Sequence, residues 1–243
     1  MAFNNEYGFI SDYSGDVRVV DLNYGVKEII NVGGKIEGVA MVTEKSFLTA
    51  RQMKADYSSN NTIEFFEKEE YKFNAYHKND KMYEICEVCE KPVAMVTDDI
   101  NHPIFVLCKG DSIKGIQPSI KRIQFEFPNI FGGPSVKAYI VNDELYQFNT
   151  YTFKNNPRLS LTDNILYVST DQKIIKFNVA NESAVVIEEY DFPGAFYLKS
   201  GKYFENDYVI GLNKEGSITV VGDETNIIKS DKPIVDGAMT NNF

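Results

Sequence analysis

The sequence predicts an all-β chain made of repeated four-stranded antiparallel sheets, and three observations carry that prediction. Apolar residues arrive in runs of about four to eight, rich in β-branched and aromatic side chains and bounded by Asn, Asp, Gly, Ser and Lys, which is the pattern of short strands between tight turns. No long stretch keeps its apolar positions at a 3.6-residue period, so helices are expected to be few and short. One phrase also occurs three times, as Glu37-Gly-Val-Ala-Met-Val-Thr43, as Pro92-Val-Ala-Met-Val-Thr97 and, worn down, as Asp236-Gly-Ala-Met-Thr240. Each internal copy opens a unit of short strands, whereas the last is followed only by Asn241 to Phe243. The strands it should open lie at the other end of the chain. A ring whose C-terminal strand completes a sheet begun by the N-terminus accounts for this, and that architecture is a β-propeller.

Taken in order, the expected strands are Val17 to Leu22, Thr62 to Phe66, Ile104 to Cys108, Val136 to Val141, Ile165 to Ser169, Lys173 to Phe177, Tyr208 to Leu212 and Ser217 to Val221. Asp12 to Asp16, Val141 to Glu144, Thr170 to Gln172 and Asn213 to Gly216 supply the Asn, Asp and Gly that hairpin turns need, so neighbouring strands should be antiparallel. Grouping them gives a repeat of roughly 40 residues, within the range of a propeller blade. The first blade takes its innermost strand from Gly237 to Thr240 and the rest from the N-terminus up to Val32. The others span Ile36 to Tyr83, Glu84 to Phe127, Phe131 to Asn155, Arg158 to Asp191 and Gly194 to Ser230. The expectation is a single domain over residues 1 to 243 with six blades, or seven if Lys68 to Glu90 holds an extra pair of strands.

Composition bounds the function. No apolar run reaches the length of a bilayer span, and Met1-Ala-Phe-Asn-Asn-Glu6 has neither a basic nor an apolar signal region. With three cysteines, an odd number, the chain reads as an intracellular, soluble protein without a disulfide framework. A net charge of -10 and 35 acidic against 25 basic residues disfavour nucleic acid and anionic membranes as partners. Lys109, Lys114, Lys121, Arg122 and Lys137 form a local basic stretch against Asp111 and Glu126. Without an aromatic ladder beside it, that stretch reads as a solvated face.

In blade length, hairpin rhythm and mixed-terminus closing blade, the chain resembles the WD40-like β-propeller superfamily over its whole length. Members of that superfamily carry a Gly-His pair and a Trp-Asp pair in each blade. Here there is no Trp, the histidines are His77 and His102 alone, and Val20-Asp21 and Phe177-Asn178 stand where the strand-ending dipeptide would lie. The resemblance is to a degenerate form.

The constellation with most chemical content is Cys86-Glu-Val-Cys89, His102 and Cys108. Its Cys-x2-Cys-x12-His-x5-Cys spacing suits a small zinc site. The competing reading, buried free thiols acting as small hydrophobes, is the one expected, because the repeated strand phrase interrupts the set and His102 precedes Pro103. The adjacent carboxylates Glu69-Glu70, Asp98-Asp99 and Glu188-Glu189 should point to opposite faces of a strand and so form no catalytic dyad. His77 lies in a polar stretch, and Gly33-Gly34 and Gly132-Gly133-Pro134 lack the lysine and helix of a phosphate loop.

These observations predict a non-catalytic, cofactor-free interaction scaffold for protein or peptide partners, with exposed Tyr or Phe as anchors. The alternative is a metal-dependent, lactonase-like hydrolase or small-ligand binder. It would gather Glu37, Asp98, Asn129, Asp163 and Asp236 around the central channel.

Overall fold

A computed structural model describes residues 2–3, 7–11, 16–21, 25–31, 35–43, 46–52, 62–69, 72–75, 89, 92–97, 103–126, 139–153, 157–203, 206–221 and 226–229. Among them every element is a β-strand, and the strands form five four-stranded antiparallel sheets. In each sheet the strands lie side by side in chain order. This is the meander that consecutive antiparallel strands build most readily. The chain divides into two compact units, Met1–Gln147 and Phe148–Phe243.

The first unit holds three sheets. The first contains β1 (Ala2–Phe3), β2 (Tyr7–Ser11), β3 (Asp16–Asp21) and β4 (Gly25–Asn31), and the second β5 (Lys35–Thr43), β6 (Ser46–Gln52), β7 (Thr62–Glu69) and β8 (Lys72–Ala75). The third contains β9 (Pro92–Val96), β10 (Ile104–Cys108), β11 (Ser119–Glu126) and β12 (Tyr139–Gln147). Both internal copies of the repeated phrase are first strands, and β5 lies beside β9. The third copy falls outside the described residues. All five residues of β10 are buried, as expected of a continuous apolar run covered on both faces.

Three expectations change here. The place beside β2 that the sequence reading gave to Gly237 to Thr240 is held by β1, through Ala2↔Phe9 and Phe3↔Gly8. Among the described residues the first sheet has four strands, all from the N-terminal stretch, and Gly237 to Thr240 lies outside them. Tyr139–Gln147, read as part of a fourth blade, is instead the outer strand of the third sheet, paired with β11 from Ser119↔Gln147 to Glu126↔Tyr139. The described residues thus make five four-stranded sheets. Val141 to Glu144 is strand and not turn, because Asn142 pairs with Ile123 and Asp143 faces Arg122. Backbone pairing with β11 overrides the turn preference of Asn-Asp here. β7 and β8 pair from Phe66↔Ala75 to Glu69↔Lys72, and the rest of Lys68 to Glu90, apart from Cys89, lies outside the described residues.

The β10–β11 connection is tightly built. Asp111 and Ile116 exchange backbone hydrogen bonds of 2.9 and 2.8 Å, and Gly110 and Gly115 take φ of +70° and +72°. A Cβ on Gly110 would lie 2.4 Å from the Ile116 carbonyl oxygen and 2.7 Å from the Gln117 carbonyl. Gly110→Ala is therefore expected to cost about 2 kcal/mol, from left-handed strain plus a backbone clash. Gly115→Ala, with nothing within 4 Å of its added carbon, should lose only the conformational part. Urea denaturation of the two variants side by side checks the difference.

The second unit holds two sheets. One contains β13 (Leu159–Thr162), β14 (Ile165–Ser169), β15 (Lys173–Asn178) and β16 (Val185–Asp191). The other contains β17 (Ala195–Tyr203), β18 (Asn206–Asn213), β19 (Ser217–Val221) and β20 (Asn226–Lys229). β17 packs beside β13 and β14. Between the sheets lies a core of Tyr167, Ile174, Tyr190, Phe192, Ala195, Leu198, Val209 and Val221. Gly211 allows the closest approach, since a Cβ there would meet Ile174 Cδ1 at 2.8 Å and Thr219 Cγ2 at 3.0 Å.

Turn chemistry follows the sequence. The Thr170 hydroxyl accepts the Lys173 amide at 2.8 Å and the Gln172 amide at 3.2 Å. Asn213 Oδ1 accepts the Ser217 amide at 2.9 Å, while Gly216 sits at φ +87°. Asp163, at φ +50°, turns the chain between Thr162 and Ile165, a left-handed position that Asp tolerates.

Before β13 the segment 148–153 leaves the sheets and plugs the second unit. Phe148 is fully buried and meets Phe153, Tyr151 and Phe177 edge-on, with ring centroids at 5.0, 6.0 and 6.0 Å.

Candidate functional site

Cys89 and Cys108 are joined by a disulfide, with their Cα atoms 5.9 Å apart. It links the approach to β9 with the end of β10, where Cys108 pairs with Pro92. This corrects the expectation of buried free thiols, and it takes two of the four candidate zinc ligands, because a bonded sulfur is not a thiolate. Cys86 and His102 lie outside the described residues. The odd cysteine count obscured the bond, since a single disulfide with one cysteine left over is as consistent with three cysteines as three thiols are. The bond also removes the cysteine argument for a reducing compartment.

Of the channel candidates, Asp163 sits in the β13–β14 turn and forms an ion pair with Lys202. Glu37 lies in β5, at a register shift between Ile36 and Gly38. Asp98, Asn129 and Asp236 are outside the described residues, as are His77, Glu70, Asp99 and Lys137. Among the described residues no group of three or more His, Cys, Asp or Glu is placed to hold a metal ion. Glu188 and Glu189 do point to opposite faces. Glu188 accepts the Tyr190 hydroxyl at 2.6 Å, whereas Glu189 takes Lys173 and Tyr151. Burial, then the Asp207 and Glu188 carboxylates, pushes the Tyr167 phenol up, and burial with the Glu188 hydrogen bond does the same to Tyr190. Both phenols stay protonated at neutral pH and serve as core residues, not bases.

What the second unit builds between its sheets is structural. The Ser160 and Ser200 hydroxyls lie 2.8 Å apart, Thr162 donates to Ser200 at 2.7 Å, and the Ser200 amide donates to Ser160 at 2.7 Å. A register shift between Ala195 and Tyr197 leaves Phe196 out of the ladder. Its carbonyl accepts Arg158 Nε at 2.8 Å, a link between adjacent sheets that satisfies a carbonyl left out of the ladder.

On the surface, Lys173 Nζ lies 2.8 Å from Glu189 Oε2 and 3.7 Å from Asp191. The Lys173 hydrogen bond, then that of Tyr151, holds the Glu189 carboxyl below the usual range, and the same Glu189 contact raises Lys173. The Glu189 contribution to stability is present above the ordinary carboxylate pKa and fades as pH falls through its lowered folded value. An NMR titration should show Glu189 with a depressed midpoint that moves back up in Lys173→Met. Both groups are solvated, so the effect on stability will be small.

Among the described residues the exposed large apolar side chains are aliphatic. Val26 and Ile29 lie on the outer strand β4, Val185 and Ile187 on the outer strand β16, and Ile113 and Ile116 on the β10–β11 connection. Sequence reasoning missed them because β-branched residues in a strand look the same whether they face a core or solvent.

No family model matches the chain, and no curated protein matches it. Among solved structures it is similar to Hsv2 of Kluyvelomyces marxianus, a WD40 β-propeller, at 12% identity and a TM-score of 0.50, over 90% of this chain. This chain covers 60% of the length of that Hsv2 chain. It is also similar to BamB from Moraxella catarrhalis, at 9% identity and a TM-score of 0.48, over 99% of this chain and 79% of that one. The blade topology together with the likeness to Hsv2 gives a β-propeller fold.

Proposed function

We propose that the chain is a non-catalytic β-propeller scaffold that presents blade edges and hairpin tips to protein partners. The observation that carries this reading is the placement of exposed aliphatic residues. Val26 and Ile29 stand 56% exposed on β4, and Val185 stands 55% exposed on β16. Both are outer strands that pair on one side only among the described residues. A strand edge of that kind offers a partner unpaired backbone groups and apolar side chains together. The hydrogen-bonded sheets behind it are already ordered, so little binding energy is lost to arranging the receptor.

The engagement of Glu188, Glu189 and Asp163 in turns, ion pairs and tyrosine contacts supports the same reading, because these acids already have structural work. The test is retention of partners by the immobilised full chain from a native extract at physiological salt. A stoichiometric protein partner is expected. Retention of none, together with a melting temperature that rises on adding Ca²⁺ or Zn²⁺, would overturn the scaffold in favour of a metal-using propeller.

A further inference from the structure

Two Asn-x-Ser/Thr triplets occur in the chain, Asn60-Asn61-Thr62 and Asn181-Glu182-Ser183, neither with proline at its centre. Such a triplet is the acceptor of asparagine-linked glycans in secreted proteins. Three-residue motifs recur by chance in an asparagine-rich chain, so placement and compartment decide whether one is used. Asn60 and Asn61 lie outside the described residues, whereas all of Asn181 to Ser183 lies within them.

Asn181 stands in the connection between β15 and β16, which close on each other at Asn178↔Val185. Ala180 to Ser183 are exposed, while Val179 before them is 3% exposed and Ala184 after them 8%. Buried residues thus pin both ends of the loop. On its leading side the Val179 amide donates to the Asn164 carbonyl at 2.9 Å, and Asn178 Oδ1 accepts the Ala180 amide at 3.0 Å. The triplet itself takes part in no strand pairing. A bulky polar group on Asn181 therefore displaces no core side chain and breaks no ladder bond.

The compartment is indicated by the other unit, through the Cys89–Cys108 bond. Disulfides form and persist where the surroundings are oxidising, and the lumen of the endoplasmic reticulum is one such place. It is also where lipid-linked oligosaccharides meet asparagine acceptors. A covalent bond and an exposed acceptor triplet, in different units, thus point to the same route through the cell.

We propose that Asn181 is an N-glycosylation site. In the transfer, Asn181 Nδ2 attacks the anomeric carbon of an oligosaccharide carried on a lipid diphosphate. The nitrogen–carbon bond forms, the carbon–oxygen bond to the diphosphate breaks, the lipid diphosphate leaves with the bonding pair, and the amide nitrogen gives up one proton. No oxidant or reductant is consumed. Ser183 supplies the hydroxyl that the acceptor triplet requires. The proposal goes beyond the scaffold reading and is independent of it. It runs against the intracellular address expected from the sequence, whose cysteine argument the disulfide has removed.

The test is peptide mapping of the full chain isolated from its native cells. Trypsin releases Phe177 to Lys199 as one peptide containing Asn181. That peptide is expected to carry a glycan, and peptide-N-glycosidase F should raise the mobility of the whole chain on a denaturing gel. Expressed in the same cells, N181Q and S183A should each lose the Asn181 glycan, and S183T should keep it. N164Q changes an exposed asparagine in the β13–β14 turn that has Leu166 two places on, and it should leave the glycan in place. S183A retains the asparagine and S183T restores the hydroxyl, so loss in the first with retention in the second separates acceptor recognition from damage to the loop.

A Phe177 to Lys199 peptide found only bare overturns the proposal, returns the chain to an intracellular address and leaves the scaffold reading standing. A mobility shift that persists in N181Q, with that peptide bare in the wild-type chain, places the glycan elsewhere and overturns Asn181 as its carrier.

Discussion

Replacing Phe148 with Ala is expected to destabilise the second unit by about 3–5 kcal/mol, the usual range for removing a fully buried aromatic ring. Phe148 belongs to no strand, yet it is wholly inaccessible and is the hub of three edge-to-face contacts, with Tyr151, Phe153 and Phe177. Losing the ring removes those quadrupole contacts as well as the transfer term, and it leaves a cavity against Phe177. Phe148→Leu keeps most of the volume and should cost less than half as much. Urea titrations followed by far-ultraviolet circular dichroism check both variants. Equal, small losses in the two would show that the 148–153 segment is not a core element.

Removing the Cys89–Cys108 bond is expected to cost about 3 kcal/mol. That is the loop-closure contribution for a link between residues 19 apart. Cys89→Ser combined with Cys108→Ser, and the wild-type chain under reductant, should lower the urea midpoint by similar amounts. The bond has a direct chemical signature too. Of three cysteines, two are joined, so one thiol per chain should react under denaturing conditions without reductant, and three after reduction. Three reactive thiols before reduction would show that the bond does not form in the purified protein.

The sequence read well where backbone patterning alone decides the answer. Ile104 to Cys108, Ile165 to Ser169 and Ser217 to Val221 were delimited to the residue, because turn formers with a defined chemistry flank runs that cannot be helical. It read poorly where pairing over distance decides. Tyr139–Gln147 carries no local mark of which sheet it joins. Its assignment depends on the register with β11, which only the packed structure reveals. Phe148 to Phe153 carries three aromatic rings among Asn and Thr and no local mark that it leaves the sheets, yet Phe148 is buried against Phe177 outside any ladder. For the site, the basic stretch around Lys114 was visible as charge. The exposure of Ile113 was not, because a one-dimensional pattern cannot separate an isoleucine in a core from one at a tip.

The register shifts of the blades carry one more consequence. Outer strands β4, β12 and β16 each pass over one residue, Lys27, Leu145 and Ile187, while the first strands β9 and β17 pass over Val93 and Phe196. Each such irregularity is made by main-chain geometry, and at Phe196 the freed carbonyl is what the neighbouring blade grips. A joint between blades that grips peptide groups places few demands on side-chain identity at the gripped position. Substitutions can therefore accumulate blade by blade without loosening the stack. A propeller fold joined this way accommodates very different sequences, in keeping with the 12% identity at which this chain is similar in fold to Hsv2.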